Sequence, residues 1–399
     1  MSENKTELKN LILIVDDTPQ NIQVLANILY KKGYGISVAS SGEKALQTIK
    51  EEIPDLILLD IQMPEMDGYE VCKILKQTSE TKNIPIIFLT AKSETEDIIR
   101  GFELGAVDYI AKPFNVAELT ARVATHIDFK KSKERIEVLN KNLNIAYNQI
   151  KDSINYAKII QERMLPDLNI LQTKGVHHML IYKPKDTIGG DFYWTEIIND
   201  KIFIAVADCT GHGVPGALLS MSGHNLLNEI INVEKNYDPA DILHNLNNRV
   251  CRIFKQKKVL INDGMEIALC VIDTNSKTME YAGANLPLLY FRNKIIKKLL
   301  PDKIPIGESY FEQNKPVFTK QTIEFNAADR FFMFTDGITD QLDRTNKNKM
   351  SRKKIETQLE LFSTLSMSSV KDNLLEFLNN WQGNNTQTDD ILLLGFEIS

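Results

Sequence analysis

Over its first third the chain alternates short apolar runs with amphipathic stretches of helical length. Residues 11–15, 35–39, 55–59, 85–89 and 108–110 read as strands, with residues 20–32 and 42–51 as the first helices between them. Strands that are apolar throughout need cover on both faces, so this pattern predicts a doubly wound parallel α/β sheet, a (βα)5 unit. The pattern changes after Phe129, where no Gly or Pro occurs before Pro166. Ile136, Leu139, Leu143, Ala146, Ile150, Ser153, Ala157, Ile160 and Met164 step by alternating threes and fours, a heptad seam. That seam predicts a helical connector, either a two-stranded coiled coil or one amphipathic helix packed on a flanking domain. Further on, strand-like runs at 192–194, 202–207, 267–273, 288–291, 331–335 and 391–396 are separated by helical stretches near 216–232, 239–254 and 369–381. Such a mixture predicts an α+β layered domain with its sheets inside. The boundaries expected are 1–128, 129–165 and 166–399.

Composition narrows the class without changing this organisation. A chain of 399 residues with 43% hydrophobic and 25% charged residues has enough apolar material for several cores. The net charge of −6 argues against nucleic acid as a main partner, since phosphate backbones demand a basic face. The basic clusters at 130–135 and 255–258 read as solvated surface. Cys72, Cys209, Cys251 and Cys270 lie far apart with no C-x-x-C pair, which speaks against a zinc site or disulfides and for a reducing cytoplasm. The polar start is no signal peptide, and no run approaches the roughly 20 apolar residues that span a bilayer. A cytoplasmic protein is expected.

The candidate chemistry lies in acids at the ends of apolar runs. Asp16 and Asp17 follow the first strand, Asp60 the third, Thr90 the fourth and Lys112 the fifth. In a parallel sheet all five would meet beyond the carboxyl ends of the strands. Gathered carboxylates repel one another unless a cation joins them, so Asp16, Asp17 and Asp60 are candidate Mg²⁺ ligands. The cation would let Asp60 act as nucleophile on a phosphoryl group, with Lys112 and Thr90 bonding its oxygens. Pro113 is a candidate cis proline. A second set is Asp191 after Gly189-Gly190, Asp208 at a strand end, Asp336 before Gly337, and the pair Asp389-Asp390 before residues 391–396. Each alone reads as a turn residue, but together they read as a dinuclear oxygen-ligand site, favouring Mg²⁺ or Mn²⁺ over zinc. Gly211 to Gly216 matches G-x-G-x-x-G, yet Asp208 before it would repel a pyrophosphate and the parallel βαβ setting is missing. Those glycines are better explained as letting backbone approach a metal held by Asp208.

The acidic pair, the LLDIQMPEMDG around Asp60, Thr90-Ala91 and Lys112-Pro113 together resemble a response-regulator receiver domain. The resemblance implies phosphoryl transfer from a cognate histidine kinase to Asp60 and Mg²⁺ held also by the Gln62 backbone. It also implies a switch in which Tyr109 follows Thr90, although Tyr beside a strand is equally ordinary core. GGDFYW, ADCTGHGVPGA, YAGANLPLL, FTDGITD and TDDILLLGF, entered through QERMLP at 161–166, are similar to the SpoIIE-like branch of the PPM-type serine/threonine protein phosphatases. That resemblance implies Asp208 bridging two Mn²⁺ or Mg²⁺ ions, the Cys209 carbonyl on one, and Asp336 and Asp389 completing the second. Asp191 would act directly or through water, and Asp390 stands as the alternative to Asp389. His212 would protonate the leaving oxygen or cap its loop. Trp194 stands where many relatives carry another acid, and Ala284 replaces the histidine of a Gly-His-Asn pattern. The implied output is hydrolysis of phosphoserine or phosphothreonine on a partner protein, in the logic of the branch a STAS-type anti-sigma-factor antagonist. A homodimer through the connector is expected, and membranes and nucleic acid are not. The rival reading is a non-catalytic adaptor whose phosphatase-like fold binds a partner when the receiver is phosphorylated.

Overall fold

The computed structural model describes residues 10–91, 95–255, 263–292, 295–307 and 317–399. The chain divides into two compact units, Met1–Tyr147 and Asn148–Ser399. The polar residues 1–9 and most of the basic cluster at 255–258 lie outside the described residues.

In the first unit β1 (Leu11–Val15), β2 (Gly35–Ala39), β3 (Leu56–Asp60), β4 (Ile86–Thr90) and β5 (Asp108–Ala111) form a parallel sheet in the order β2-β1-β3-β4-β5. Side chains alternate between faces along each strand. Leu13, Val15, Ile57, Leu59, Ile86 and Phe88 pack with α2 (Gly42–Glu51) and α3 (Gly68–Gln77). Ile12, Ile14, Leu56, Leu58, Ile87 and Leu89 pack with α1 (Pro19–Lys31) and with Leu119, Val123 and Ile127 of α5 (Val116–Met164). Cover on both faces is what the unbroken apolar runs required. Helix α4 (Thr95–Glu103) approaches the sheet at Gly101, where an added Cβ would come within 3.0 Å of the Phe88 ring.

Helix α5 runs unbroken from Val116 to Met164. Its seam residues Ile136, Leu139, Leu143 and Ile150 are between 56% and 66% exposed.

The second unit is a sandwich of two antiparallel sheets. One has the order β13-β10-β9-β8-β7, from β7 (Phe192–Ile198), β8 (Lys201–Cys209), β9 (Met265–Asp273), β10 (Thr278–Ala284) and β13 (Gln321–Glu324). The other has the order β12-β11-β14-β15-β6, from β6 (Val176–Lys183), β11 (Leu288–Arg292), β12 (Ile295–Leu299), β14 (Arg330–Phe334) and β15 (Ile391–Ile398). Ile202, Ile204 and Val206 of β8 meet Phe331, Met333, Leu392 and Leu394 between the sheets. The alternate residues face outward, where α6 (Gly213–Asn228) and α7 (Pro239–Lys255) cover one sheet and α8 (Arg352–Leu361) and α9 (Met367–Gln382) the other. The layers thus run helix, sheet, sheet, helix. Among the described residues no helix is long and apolar enough to cross a membrane.

Candidate active sites

In the first unit the strand order carries Asp16, Asp60 and Lys112 to one sheet edge. The carboxylates of Asp16, Asp17 and Asp60 bring oxygens within 4.8 Å of one another. Asp16 is fully buried and accepts from the Thr18 amide at 2.9 Å and the Asn21 side chain at 3.0 Å. Lys112 Nζ lies 2.7 Å from Asp16 and 2.8 Å from Asp60, behind a cis Lys112-Pro113 peptide. Burial pushes the Asp60 carboxyl above the usual carboxylate range, against the pull of Lys112 and a bond from the Gln62 backbone. Gly68 explains the end of the LLDIQMPEMDG run: a Cβ there would stand 2.2 Å from the Asp60 carbonyl. Asp67 in the same run caps α3, accepting from the Glu70 amide at 2.8 Å, and is not a site acid. Thr90 is buried at the end of β4 and shares a small cavity with Phe88, Phe102 and Tyr109. Tyr109 is half-buried, packed against the core beside Phe88, edge-on to Phe102 at 6.4 Å and under Arg122 at 5.6 Å.

The second set of acids forms at one end of the sandwich. Asp191 precedes β7 and Asp208 lies near the end of β8, and these strands are neighbours in one sheet. Asp336 follows β14 and Asp389 precedes β15, neighbours in the other. The two pairs face each other across the sheet ends, tied by Thr335, whose hydroxyl donates to Asp191 at 2.7 Å. Asp208 is within hydrogen-bonding reach of both Asp336 and Asp191, and Asp389 stands close enough to act on its charge. Among the described residues no three of these carboxylates bring oxygens within 4.8 Å of one another, so they form a chain of contacts centred on Asp208 rather than a knot. Burial, then the neighbouring Asp336, pushes the Asp208 carboxyl up to about 8. Burial, then Asp208, holds Asp191 well above the ordinary range, and burial raises Asp336 as well.

Asp390 behaves differently. It is 2% exposed and each carboxylate oxygen accepts one backbone N–H, from Lys185 at 2.7 Å and Gly190 at 2.6 Å. Its charge is spent on the loop before Asp191. Cys209 turns its thiol into the apolar layer under α6, leaving its carbonyl for the site. His212 stands at the N-cap position of α6 but makes no capping bond. Its Nδ1 pairs with Asp186 at 2.7 Å and its Nε2 lies 3.1 Å from Lys185 Nζ, with the side chain 49% exposed. A lysine donor at Nε2 places the ring proton on Nδ1, facing Asp186. In the glycine-rich loop, Gly216 lets α6 start against the Gly211 carbonyl, 2.2 Å from where its Cβ would be. Backbone thus packs on backbone here, and the parallel surroundings of a dinucleotide loop are absent because β7, β8 and β9 are antiparallel. Trp194 is buried under α6 with its indole N–H on Asn228 at 2.9 Å.

Glu266, which the motifs do not mark, pairs directly with Asp208 across β8 and β9. Burial raises its pKa, with Asp336 adding, while the Asn285 amide holds it at 3.1 Å. An acid at the entrance of a strand, like Asp389, was the signal available; the run read from Ile267 onward begins two residues after β9 does.

The matches to known proteins follow this division. Residues 12–124 match the family model of the response regulator receiver domain, and residues 199–399 that of stage II sporulation protein E (SpoIIE). A "Probable cyclic di-GMP phosphodiesterase" of Vibrio cholerae is 50% identical over 131 residues, 33% of this chain and 29% of that one. The alkaline phosphatase synthesis transcriptional regulatory protein PhoP of Bacillus subtilis is 47% identical over 112 residues, 28% of this chain and 46% of that one. The chain therefore spans less than half the length of these relatives. The SiaA-PP2C domain of Pseudomonas aeruginosa is 27% identical with a TM-score of 0.57, over 64% of this chain and 99% of that domain. Receiver domains and PPM-type phosphatases are as families dependent on divalent metal, and both acid sets here fit: oxygen donors, with Lys112 the one side-chain cation bonded to either among the described residues. With a family model matched over half its length, the chain belongs to the SpoIIE family and carries a response-regulator receiver domain ahead of that phosphatase-type domain.

Proposed function

We propose that this chain is a two-component response regulator whose output is hydrolysis of phosphoserine or phosphothreonine on a partner protein, under control of Asp60. The observation that carries it is Asp208: a buried carboxyl flanked by Asp191 and Asp336, pushed up to about 8. Such a group is stable as an anion only beside cations. Asp208, Asp336, Asp389, Asp191 and the Cys209 carbonyl would hold two Mn²⁺ or Mg²⁺ ions. These would supply the positive charge that draws in a phosphoryl group and ease deprotonation of the attacking water. Asp389 rather than Asp390 takes the ligand role, because both Asp390 oxygens are already engaged by backbone amides. His212, half exposed and paired with Asp186, would protonate the leaving oxygen once Lys185 yields its Nε2.

In the receiver, Asp16, Asp17, Asp60 and the Gln62 carbonyl would hold Mg²⁺. The Asp60 carboxylate attacks the phosphorus of a kinase phosphohistidine, the P–N bond breaks, and an acyl phosphate remains on Asp60. Lys112 would then pair with its oxygens, and Thr90 and Tyr109, which line one small cavity, would respond. The exposed α5 seam fits a homodimer, the substrate by family logic is a phosphorylated STAS-type anti-sigma-factor antagonist, and four free thiols fit a reducing cytoplasm. An adaptor would have little reason to keep the complete acid set. Release of phosphate from a phosphoserine protein with Mn²⁺, by wild type and Asp208→Ala, tests the reading; loss of about 100-fold or more is expected. Equal rates would make the domain an adaptor.

A further inference from the structure

The last turn of α5 reaches into the phosphatase unit through one neutral side chain. Gln161 is 6% exposed, and its amide engages both backbone groups of Gly189. Oε1 accepts from the Gly189 N–H at 3.2 Å, and Nε2 donates to the Gly189 carbonyl at 2.7 Å and to Ser220 Oγ of α6 at 3.0 Å. An amide has one acceptor and two donor hydrogens to give, so this arrangement uses each once. A flipped amide would set N–H against N–H. The next residue, Gly190, is held from the opposite side by Asp390 at 2.6 Å, and Asp191 follows at once. The same loop lies against the turn after β8: a Cβ on Gly190 would stand 3.0 Å from the Cys209 carbonyl and 2.6 Å from that of Gly211. Gln161 and Asp390 therefore clamp a two-glycine loop whose position fixes both Asp191 and the Cys209 carbonyl.

We propose that Gln161 is a positioning residue for the divalent-cation site, setting cation affinity by fixing the Gly189 peptide rather than by touching the ion. The proposal rests on the reading of the sandwich acids as a cation site. Groups one shell removed from a metal commonly govern its affinity by about 10- to 100-fold.

The test uses the full chain, with Mn²⁺ binding followed by titration calorimetry and folding followed by melting in EDTA. Gln161→Met keeps the volume and removes the three bonds; it should melt several degrees below wild type, because buried Gly189 groups lose their partner, yet stay folded and bind Mn²⁺ about tenfold more weakly at a temperature where both are native. Gln161→Glu gives a second reading should the methionine variant not fold. It keeps the acceptor for the Gly189 N–H but turns a carboxylate oxygen toward the Gly189 carbonyl. Charge alone would tighten cation binding in this variant, whereas lost positioning weakens it. Tyr156→Ala, on an exposed part of the same helix, should match wild type. Unchanged Mn²⁺ affinity in Gln161→Met, or tighter binding in Gln161→Glu, overturns the proposal. If wild type and Asp208→Ala bind Mn²⁺ alike, the cation-site reading itself fails, whatever Gln161 does.

Discussion

Asp208 owes its raised pKa first to burial and then to Asp336, so in the metal-free protein its proton is part of the folded state. A carboxyl whose folded pKa lies above its unfolded value near ~3.9 adds stability at low pH and loses it as pH rises through the folded value. In EDTA the phosphatase unit should therefore melt lower at pH 9 than at pH 6, by at least ~1 kcal/mol, or roughly 2–4 °C. Mn²⁺ should remove the slope, and Asp208→Asn should flatten it in EDTA; a metal-free chain with no slope would contradict the pairing of Asp208 with Asp336. Asp389 and Asp390 make a second contrast. Asp389→Asn should weaken Mn²⁺ binding with little change in melting, because the asparagine oxygen can keep the bond that Asp389 accepts from the Asp390 N–H at 2.8 Å while the charge is lost. Asp390→Asn puts an NH₂ against a backbone N–H and should lower stability by about 1–3 kcal/mol even in EDTA. Equal behaviour of the two in melting and in Mn²⁺ titration would refute the division of labour.

At the scale of elements, the strands of the receiver were legible because continuous apolar runs leave little else for residues 11–15 or 85–89 to be, the latter shifted by one from the observed β4. The carboxyl edge then placed Asp16, Asp60 and Lys112 together, and the structure has them within 2.8 Å through Lys112. In the sandwich, β6 escaped the pattern because His177 and His178 interrupt its apolar run, and β10 because Glu280 and Gly283 dilute it. Polar residues sit at partly solvated strand positions without ending the strand. The four acids, and Glu266 beside them, could be read from their places at strand ends, and Gln161 stands first in the QERMLP run, but what Gln161 and Thr335 do could not be read. Their importance comes from what lies opposite them in three dimensions, which no periodic signal carries. The α5 seam was visible as a heptad, and its residues stand exposed in the single chain. Leu139 and Leu143, at 56% and 66% exposure, are the positions to test. Leu139→Asp with Leu143→Asp should convert a dimer to a monomer in sedimentation equilibrium without lowering the melting of either unit, since neither side chain is in a core. A wild type that sediments as a monomer would remove the coiled-coil reading.

For the whole molecule the question is whether a phosphoryl group on Asp60 would alter the hydrolysis proposed at Asp208. Helix α5 is one covalent and hydrogen-bonded rod from Val116 to Met164, carrying Leu119, Val123 and Ile127 in the receiver core and Gln161 on the Gly189 loop. If control passes along that rod, an acyl-phosphate donor should change Mn²⁺-dependent turnover severalfold in wild type and leave Asp60→Ala unaffected. The rod itself can be softened where nothing packs on it. Asn140, Lys141 and Asn142 are all exposed. Replacing the three with glycine costs the helix about 1 kcal/mol per residue but removes no core contact. Each unit keeps its own core, so basal turnover should stay within about twofold of wild type. The response to the donor should disappear, because a helix interrupted by three glycines no longer transmits rotation or displacement along its axis. A triple-glycine chain that still responds in full would mean that the signal reaches Asp208 by a route other than α5.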